Sequence, residues 1–300
     1  VFGFSNITND AVYALEQNFG AHHYDRLNVV VRTAQGSWIT DINGRKYLDC
    51  LAAYSAANLG HHHPKVVNAL MRALVGNYAS VISNVIYTDP LAMFLSKTAE
   101  FVPQLGPRFG MNGNKVMPKN GGVESVETAI KMARYYGFKE KNIPDGKQEI
   151  IVFNNNFHGR MIAVVSFSSQ QKYRAGFGPL TPGFVSVEFG DLDGVRSAIN
   201  KNTCGILVEP LQGEGGMRIP PPGFLRGLRQ IADDHDLLLL LDEIQVGLGR
   251  TGKTFCFEHE AIVPDGLILG KALSGGLVPL SAFITNGRLM DLAFQVGSDG

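Results

Sequence analysis

Apolar residues cluster in short uninterrupted runs between residues 149 and 270. Runs of this kind, in which polar residues do not alternate with apolar ones, are typical of strands that are buried on both faces of a parallel sheet. The sequence predicts five such strands: EIIVFNN (149–155), FVSVEFG (184–190), GILVEP (205–210), DLLLLLDE (236–243) and GLILG (266–270).

Amphipathic stretches lie beside and between these runs. In residues 122–140, apolar residues such as Val123, Val126 and Ile130 recur at helical spacing and mark one face. Residues 222–236 show the same periodicity. Because strands that alternate with helices are connected by crossovers, the pattern predicts an α/β fold with a mostly parallel sheet.

The first 60 residues have a different pattern. The stretch NVVVRTAQGSWITDINGRKYLDC (28–50) contains short β-like runs and a DINGR turn. This pattern predicts a small antiparallel element that leads into the main domain. We therefore expect an N-terminal α/β segment, residues 1–60, that is part of a small domain, followed by a large domain, residues 61–300.

The composition narrows the class of protein. The 27 Lys and Arg residues balance the 27 Asp and Glu residues, so a basic face for nucleic acid is not expected. No apolar run approaches the roughly 20 residues of a membrane span. The three cysteines follow no disulfide or metal-binding spacing, which is typical of a reducing compartment. We expect a soluble, intracellular, cytoplasmic protein that acts on small molecules and binds neither nucleic acid nor membrane.

One glycine-rich stretch suggests a rival function. GLGRTGKT (247–254) matches the phosphate-loop pattern of nucleoside triphosphatases. In that fold the loop follows a strand and opens a long helix, whereas here Pro264 leaves little room for one. Gly247, Gly249 and Gly252 also match a dinucleotide pattern, but no strand with an acidic end follows about 20 residues later. The favoured interpretation is a glycine-rich turn beside a site.

A single lysine stands between an apolar run and a double-glycine turn in DGLILGKALSGGLVPLSA (265–282). Burial disfavours the charged form of an amine, and a lysine with a lowered pKa is a nucleophile suited to Schiff-base chemistry. By itself the stretch favours a plainer interpretation, in which Lys271 extends its amine to solvent.

Two further features favour the Schiff-base interpretation of Lys271 over the plainer one. The Gly121–Gly122 turn opens a predicted helix, whose first amides form a ready anion site. Asp242 ends the leucine strand, and the next strand leads to Lys271, so strand ends bring the two together. A flexible helix entry and simple strand termination are the plainer alternatives. Pyridoxal 5'-phosphate needs a phosphate cradle, an acid for its ring nitrogen and a lysine, and the three occur in a suitable order.

Six motifs carry a resemblance to a known family. In chain order they are AAYSAANLGHHHPKVVNAL, NGGVESVETAIKMAR, FHGRMIAVVSFS, EPLQGEGG, LLLLDEIQVGLGRTGK and LGKALSGGLVPLSAF. From about residue 20 to its end, the chain resembles the class III, fold-type I aminotransferases, which use pyridoxal phosphate. Within that class it is most similar to the ornithine aminotransferases, through GAHHYDRLNVVV and AAYSAANLGH.

The resemblance implies how the cofactor is held. Lys271 would form the Schiff base and move a proton between substrate and cofactor carbons. Asp242 would keep the pyridine nitrogen protonated, and Gln245 would hydrogen-bond the phenolic oxygen. Phe157 would stack on the face of the ring. The amides of Gly122 and Val123 would contact the phosphate.

The resemblance also implies which substrates bind, namely L-ornithine and 2-oxoglutarate. Arg160 and Tyr24 would hold the α-carboxylate of ornithine, so that the δ-amine reaches the cofactor. Tyr54 would favour ornithine over shorter ω-amino acids, and Glu214 would mask a distant arginine until the second substrate binds. For both tyrosines ordinary packing is an alternative, and Glu209 is expected to be structural. Acetylornithine, lysine or 4-aminobutyrate as donor, and a cofactor-binding protein without activity, stay open.

Three departures from the family pattern stand out. His158 occupies a position where ornithine aminotransferases often have tryptophan. His61, His62 and His63 form an uninterrupted run, which we expect in a loop near a subunit contact rather than at a metal. The chain stops before the family's serine–threonine pair and C-terminal small domain, which we expect to be absent from it. The family's shared sites imply at least a homodimer.

Overall fold

Seven strands form the larger of two sheets in the computed structural model, which describes residues 7–78, 82–83 and 85–295. Their order is β4-β10-β9-β8-β7-β5-β6. The bounds are β4 Asn114–Lys119, β5 Glu149–Phe153, β6 Phe184–Val187, β7 Thr203–Val208, β8 Leu238–Asp242, β9 Gly266–Leu269 and β10 Ser281–Asn286.

Strands β5 to β9 are the five predicted from apolar runs, and they pair with one another in parallel. The predicted α/β class with a mostly parallel sheet is confirmed. Strands β4 and β10 were not predicted. Strand β10 pairs antiparallel with both β4 and β9. The sequence NKVMPK of β4 carries two lysines and Pro118, and this strand lies at the sheet edge, where a proline is tolerated.

The helices of the described residues cover both faces of this sheet. Their bounds are α1 Asn9–Phe19, α2 Ala52–Ser55, α3 Pro64–Val75, α4 Asp89–Phe101, α5 Gly122–Lys139, α6 Ile162–Val165, α7 Leu192–Ala198, α8 Phe224–Asp234 and α9 Gly287–Phe294. Helices α5 and α8 are the two predicted from amphipathic periodicity.

Strand β8 shows why the apolar runs are uninterrupted. Leu238 and Leu240 belong to the apolar cluster that contains the buried face of α5. Leu239 and Leu241 belong to the cluster that contains the buried face of α8. All four side chains are fully buried. Since each face of the strand meets a different helix layer, no position before Asp242, at its end, is left for a polar residue.

The N-terminal segment forms the predicted antiparallel element. Strands β1 (Val31–Gln35), β2 (Trp38–Asp41) and β3 (Lys46–Leu48) pair in chain order. The turn after β2 is closed by Asp41, whose Oδ1 accepts the amides of Asn43 and Arg45. The domain boundary at residue 60 stays a prediction.

The GLGRTGKT stretch does not open a long helix. It is followed by a five-residue 3-10 turn, Cys256–Glu260, as the favoured interpretation requires. Among the described residues, no helix is long and apolar enough to cross a membrane.

Candidate active site

Three elements meet at the carboxyl edge of the large sheet. Strand β8 ends at Asp242 and pairs with β9, which leads directly into Lys271. Helix α5 begins at Gly122 beside them. A cavity of about 260 Å³ is lined by all three elements. Of the predicted cofactor residues, it brings together Gly122, Val123, Phe157, Asp242, Gln245 and Lys271.

Asp242 is held at the cavity wall by two hydrogen bonds. Its Oδ1 accepts the Ile244 amide at 3.0 Å, and its Oδ2 lies 2.7 Å from Nδ1 of His158. Burial by itself lowers the pKa of His158, but the hydrogen bond and the charge of Asp242 raise it above its ordinary value. His158 therefore favours its protonated form and donates to the carboxylate. Sequence reasoning treated His158 only as a departure, although it directly follows Phe157.

Lys271 occupies a strained position. Its φ is +43°, in the left-handed region that side chains other than glycine rarely adopt. Burial lowers the pKa of Lys271, while the charges of Asp242, Glu214 and Glu209 oppose that shift without cancelling it. An amine of this kind carries more of the neutral, nucleophilic form than an exposed lysine does.

The N-terminus of α5 is built to approach a ligand. Glu124 reaches back to the Gly121 amide, and Ser281 Oγ donates to the Gly121 carbonyl at 2.8 Å. A Cβ on Gly122 would lie 2.9 Å from Ile244 Cδ1, so the end of the Ile244 side chain would have to shift to admit a larger residue there. The first amides of a helix have no carbonyl partner within it and carry partial positive charge. Gly122 and Val123 supply such amides to the cavity.

Glu209 is a buried carboxyl that also lines the cavity. Its Oε2 accepts the amide of Phe157 at 2.9 Å, which fixes the chain beside the predicted ring-stacking residue. Burial raises the pKa of Glu209 to about 7. The structural role expected of Glu209 stays a prediction, and no local pattern marked it as a residue that lines the site.

Gln245 fits against a glycine of the EPLQGEGG motif. A Cβ built on Gly213 would overlap the carboxamide of Gln245. The absence of a side chain at residue 213 therefore makes room for Gln245 to reach the cavity.

The predicted substrate residues lie outside the lining of this cavity. The guanidinium of Arg160 lies over three aromatic rings, at 4.9 Å from the centroid of Tyr24, 5.7 Å from Tyr173 and 6.0 Å from Phe157. Tyr173 was not singled out from the sequence, because nothing local marks it as a neighbour of Arg160.

The remaining two predicted residues lie on the side of Lys271. The ring centroid of Tyr54 is 6.0 Å from Lys271 Nζ. Glu214 is exposed and acts on Lys271 through its charge. Arg160 and Tyr54 thus belong to separate groups of contacts, one around Phe157 and one around the lysine.

The residues present fit pyridoxal phosphate. One small cavity holds an amine of lowered pKa, a buried carboxylate with its own proton donor, an aromatic ring and the amides of a helix N-terminus. A lysine, a carboxylate for the ring nitrogen and an anion cradle are the protein groups this cofactor requires.

Comparisons with known proteins identify the family of the chain. Residues 19–300 match the family model of aminotransferase class-III. The chain is 43% identical over 292 residues to ornithine aminotransferase 2 of Staphylococcus aureus (strain MRSA252), which covers 97% of this chain and 71% of that one. It is 45% identical over 284 residues to an ornithine aminotransferase of Staphylococcus carnosus, covering 95% and 69%.

Solved structures show the same similarity. An ornithine aminotransferase from Toxoplasma gondii, with partial occupancy of PLP at its active site, superposes with a TM-score of 0.90 at 34% identity. The match covers 98% of this chain and 66% of that one, so the chain spans about two thirds of the length of that relative. An acetylornithine aminotransferase from Elizabethkingia anophelis superposes with a TM-score of 0.82 at 35% identity, covering 98% and 68%. The chain belongs to the class III aminotransferase family.

Proposed function

We propose that the protein is a pyridoxal-phosphate-dependent aminotransferase that moves the δ-amino group of L-ornithine to 2-oxoglutarate, giving glutamate 5-semialdehyde and glutamate. The observation that carries this proposal is the convergence of Lys271, Asp242 and the first turn of α5 on one cavity. The names of the relatives support the donor.

The residues that line the cavity include a candidate partner for each part of the cofactor. The amides of Gly122 and Val123 would hold the phosphate, and the face of Phe157 would lie on the ring. Asp242 would accept a hydrogen bond from the protonated pyridine nitrogen, and Gln245 would donate to the phenolic oxygen. When bound, pyridoxal phosphate supplies an aldehyde that takes up an amino group and a ring that withdraws electrons from the neighbouring carbon.

Lys271 and Asp242 would have different roles: Lys271 would transfer protons, and Asp242 would keep the ring nitrogen protonated. The Nζ of Lys271 has a lowered pKa, so it can take up a proton and give it back within the cavity. The Asp242 carboxylate is oriented by His158 and by the Ile244 amide, so its position does not depend on the ligand. A fixed negative charge of this kind favours a protonated ring nitrogen at the same place throughout the reaction.

Substrate orientation would follow from Arg160 and Tyr54. The planar fork of Arg160 suits the α-carboxylate of ornithine, with Tyr24 beside it. Tyr54 narrows the approach to Lys271, which would favour ornithine over shorter ω-amino acids. The masking role of Glu214 stays a prediction.

We also propose that the active unit is a homodimer, built on the large domain of residues 61–300. Helix α3 has no buried residue, and its apolar side chains are exposed: Leu70 at 40%, Met71 at 51%, Leu74 at 61% and Val75 at 76%. An exposed apolar face of this kind is typical of an interface, and a second copy of the chain is the partner that the family's shared sites imply.

The test is an absorption scan of the purified full-length protein with pyridoxal phosphate, before and after addition of L-ornithine. We expect a cofactor band above 400 nm that converts with L-ornithine, roughly ten times faster or more than with acetylornithine or 4-aminobutyrate. Conversion mainly by acetylornithine would keep the cofactor chemistry and replace the donor. Failure of any band to form, with Lys271→Ala indistinguishable from the parent protein, would overturn the proposal.

A further inference from the structure

Helix α2 is a single left-handed turn of residues other than glycine. The φ angles of Ala52, Ala53, Tyr54 and Ser55 are +48°, +48°, +54° and +78°, and ψ is 47° at Ala53 and 45° at Tyr54. In this conformation Cβ crowds the following carbonyl oxygen, so isolated residues adopt it rarely and runs of four more rarely still. Such strain persists only where the surrounding structure holds it, and it concentrates at functional sites.

The turn faces the candidate catalytic lysine. The ring of Tyr54 lies over Lys271 Nζ at 6.0 Å, and Lys271 is itself left-handed. The double glycine after the lysine permits this approach. A Cβ on Gly276 would lie 3.2 Å from the carbonyl oxygen of Ala56, and a Cβ on Gly275 would lie 2.8 Å from Val66.

Asp49 contacts the start of the turn, and His61 contacts Asp49. Oδ1 of Asp49 accepts the amides of Leu51 at 3.0 Å and Ala52 at 2.9 Å, and its Oδ2 lies 2.7 Å from Nε2 of His61. Burial by itself raises the pKa of Asp49, but the hydrogen bonds from His61 and the two amides lower it below its ordinary value. The negative carboxylate is therefore the form that the fold favours.

His61 is in turn anchored to the small sheet. Its backbone exchanges two hydrogen bonds with Gly36, at 3.0 Å and 2.7 Å. The side chains of Asp49 and His61 are only 13% and 26% exposed, respectively. A continuous set of contacts therefore runs from the small sheet through the pair and the turn to the ring beside Lys271.

We propose that Asp49 and His61 are positioning residues that lock the left-handed turn, and that they set amino-donor selectivity through Tyr54. Without the carboxylate, the two amides lose their acceptor and the four residues relax toward ordinary backbone conformations. The Tyr54 ring then leaves its place over Lys271. The selectivity part of this proposal rests on the proposed function, whereas the locking of the turn does not.

Amide hydrogen exchange in the cofactor-loaded protein tests the lock without any substrate. We expect Asp49→Ala to speed exchange in residues 51–57 by about tenfold or more, since hydrogen bonds to charged groups are among the stronger ones. Asp49→Asn retains an acceptor for the amides and restores most of the protection. Asp41→Ala is the matched control, because Asp41 closes a similar turn through the amides of Asn43 and Arg45. Unchanged exchange at 51–57 in Asp49→Ala, or an equal effect of Asp41→Ala there, would overturn the proposal.

A double-mutant cycle tests whether the pair acts through Tyr54. The readout is the ratio of kcat/KM for L-ornithine to that for 4-aminobutyrate. We expect Asp49→Ala and His61→Ala each to lower this ratio about tenfold in the parent protein, and to lower it no further in a Tyr54→Ala background. Additive effects, or equal losses with both donors, would refute a positioning role. If L-ornithine is not a donor at all, the proposed function fails, and the exchange experiment alone decides whether the pair locks the turn.

Discussion

His158 and Asp242 form a hydrogen bond of 2.7 Å, between Nδ1 and Oδ2, in a place where the histidine side chain is completely buried. The two residues are 84 positions apart along the chain. Their contact gives the carboxylate at the end of β8 a partner of its own before any ligand binds. A buried charge without such a partner would be costly, so the pair is as much a requirement of the fold as of the site.

The pair should make stability depend on pH. Because the pKa of His158 is raised in the folded protein, its contribution is fully present below the ordinary pKa of 6.5 and is lost as pH rises through the folded value. We expect His158→Gln to lower the free energy of unfolding most at about pH 6 and less at alkaline pH. Urea unfolding of both proteins across that range measures the difference. His235→Gln, at an exposed histidine, is the control, and a penalty that does not vary with pH would contradict the prediction.

Glu209 should also make stability fall as pH rises, but replacing it should stabilise the protein, whereas replacing His158 should destabilise it. Its pKa rises from 4.5 to about 7 on folding, so the folded protein binds a proton in this interval that the unfolded chain does not. Stability therefore falls as pH rises through this window. The glutamine of Glu209→Gln cannot titrate. We therefore expect the free energy of unfolding of this variant to rise relative to that of the parent protein between about pH 4.5 and pH 7, by on the order of 3 kcal/mol at most.

Urea unfolding of the cofactor-free proteins measures this gain. Glu188→Gln, at an exposed carboxyl, is the control. A difference between Glu209→Gln and the parent protein that stays constant from acid to neutral pH would show that Glu209 does not titrate in this window.

The contact between Gly213 and Gln245 predicts an overpacking effect. We expect Gly213→Ala to displace the Gln245 side chain and to weaken pyridoxal phosphate binding about tenfold, since overpacking costs roughly 1–3 kcal/mol. Titration followed by cofactor absorbance measures the affinity. In Gln245→Ala the clash cannot occur, so adding Gly213→Ala there should change the affinity little. An equal loss in both backgrounds would mean that the glycine serves another purpose.

The rings around Arg160 predict a graded loss of carboxylate recognition. We expect Arg160→Ala to raise KM for L-ornithine by roughly 10- to 100-fold, because a charge-assisted contact is lost. Tyr173→Leu should raise KM by only about two- to fivefold, the contribution of one exposed cation–π contact. With 1,4-diaminobutane, which is ornithine without its carboxylate, neither variant should differ much from the parent protein. Equal effects on both amines would exclude carboxylate binding at Arg160.

Local patterns were enough to predict the parallel part of the sheet and the placement of Asp242 and Lys271 at its carboxyl edge. Both follow from uninterrupted apolar runs, because such runs fix which strands are buried and where each one ends. Strand β4 was missed because its lysines and proline conceal a short edge strand, and β10 was missed because its SAFITN sequence begins and ends with polar residues.

The remaining features depend on contacts between distant residues. The AAYS sequence of α2 contains no glycine, so nothing in it signals a left-handed turn. The contacts that accompany this conformation come from residues outside it, namely Asp49 and the glycines after Lys271. The expected roles of Tyr173 and His158 likewise depend on contacts that only the folded structure shows, with Arg160 and Asp242, respectively. Residue roles within the cavity therefore stay predictions until the variants are measured.

The alternation of leucines along β8 has a consequence for which changes this strand can accept. Its side chains can be exchanged for others of similar size, because each belongs to only one of the two apolar layers. A deletion or insertion of a single residue is different, since it would turn every following side chain to the opposite layer. Asp242 would then point away from the cavity and from His158. The apolar residues of this strand can therefore be substituted by others, but the number of residues in the strand cannot change.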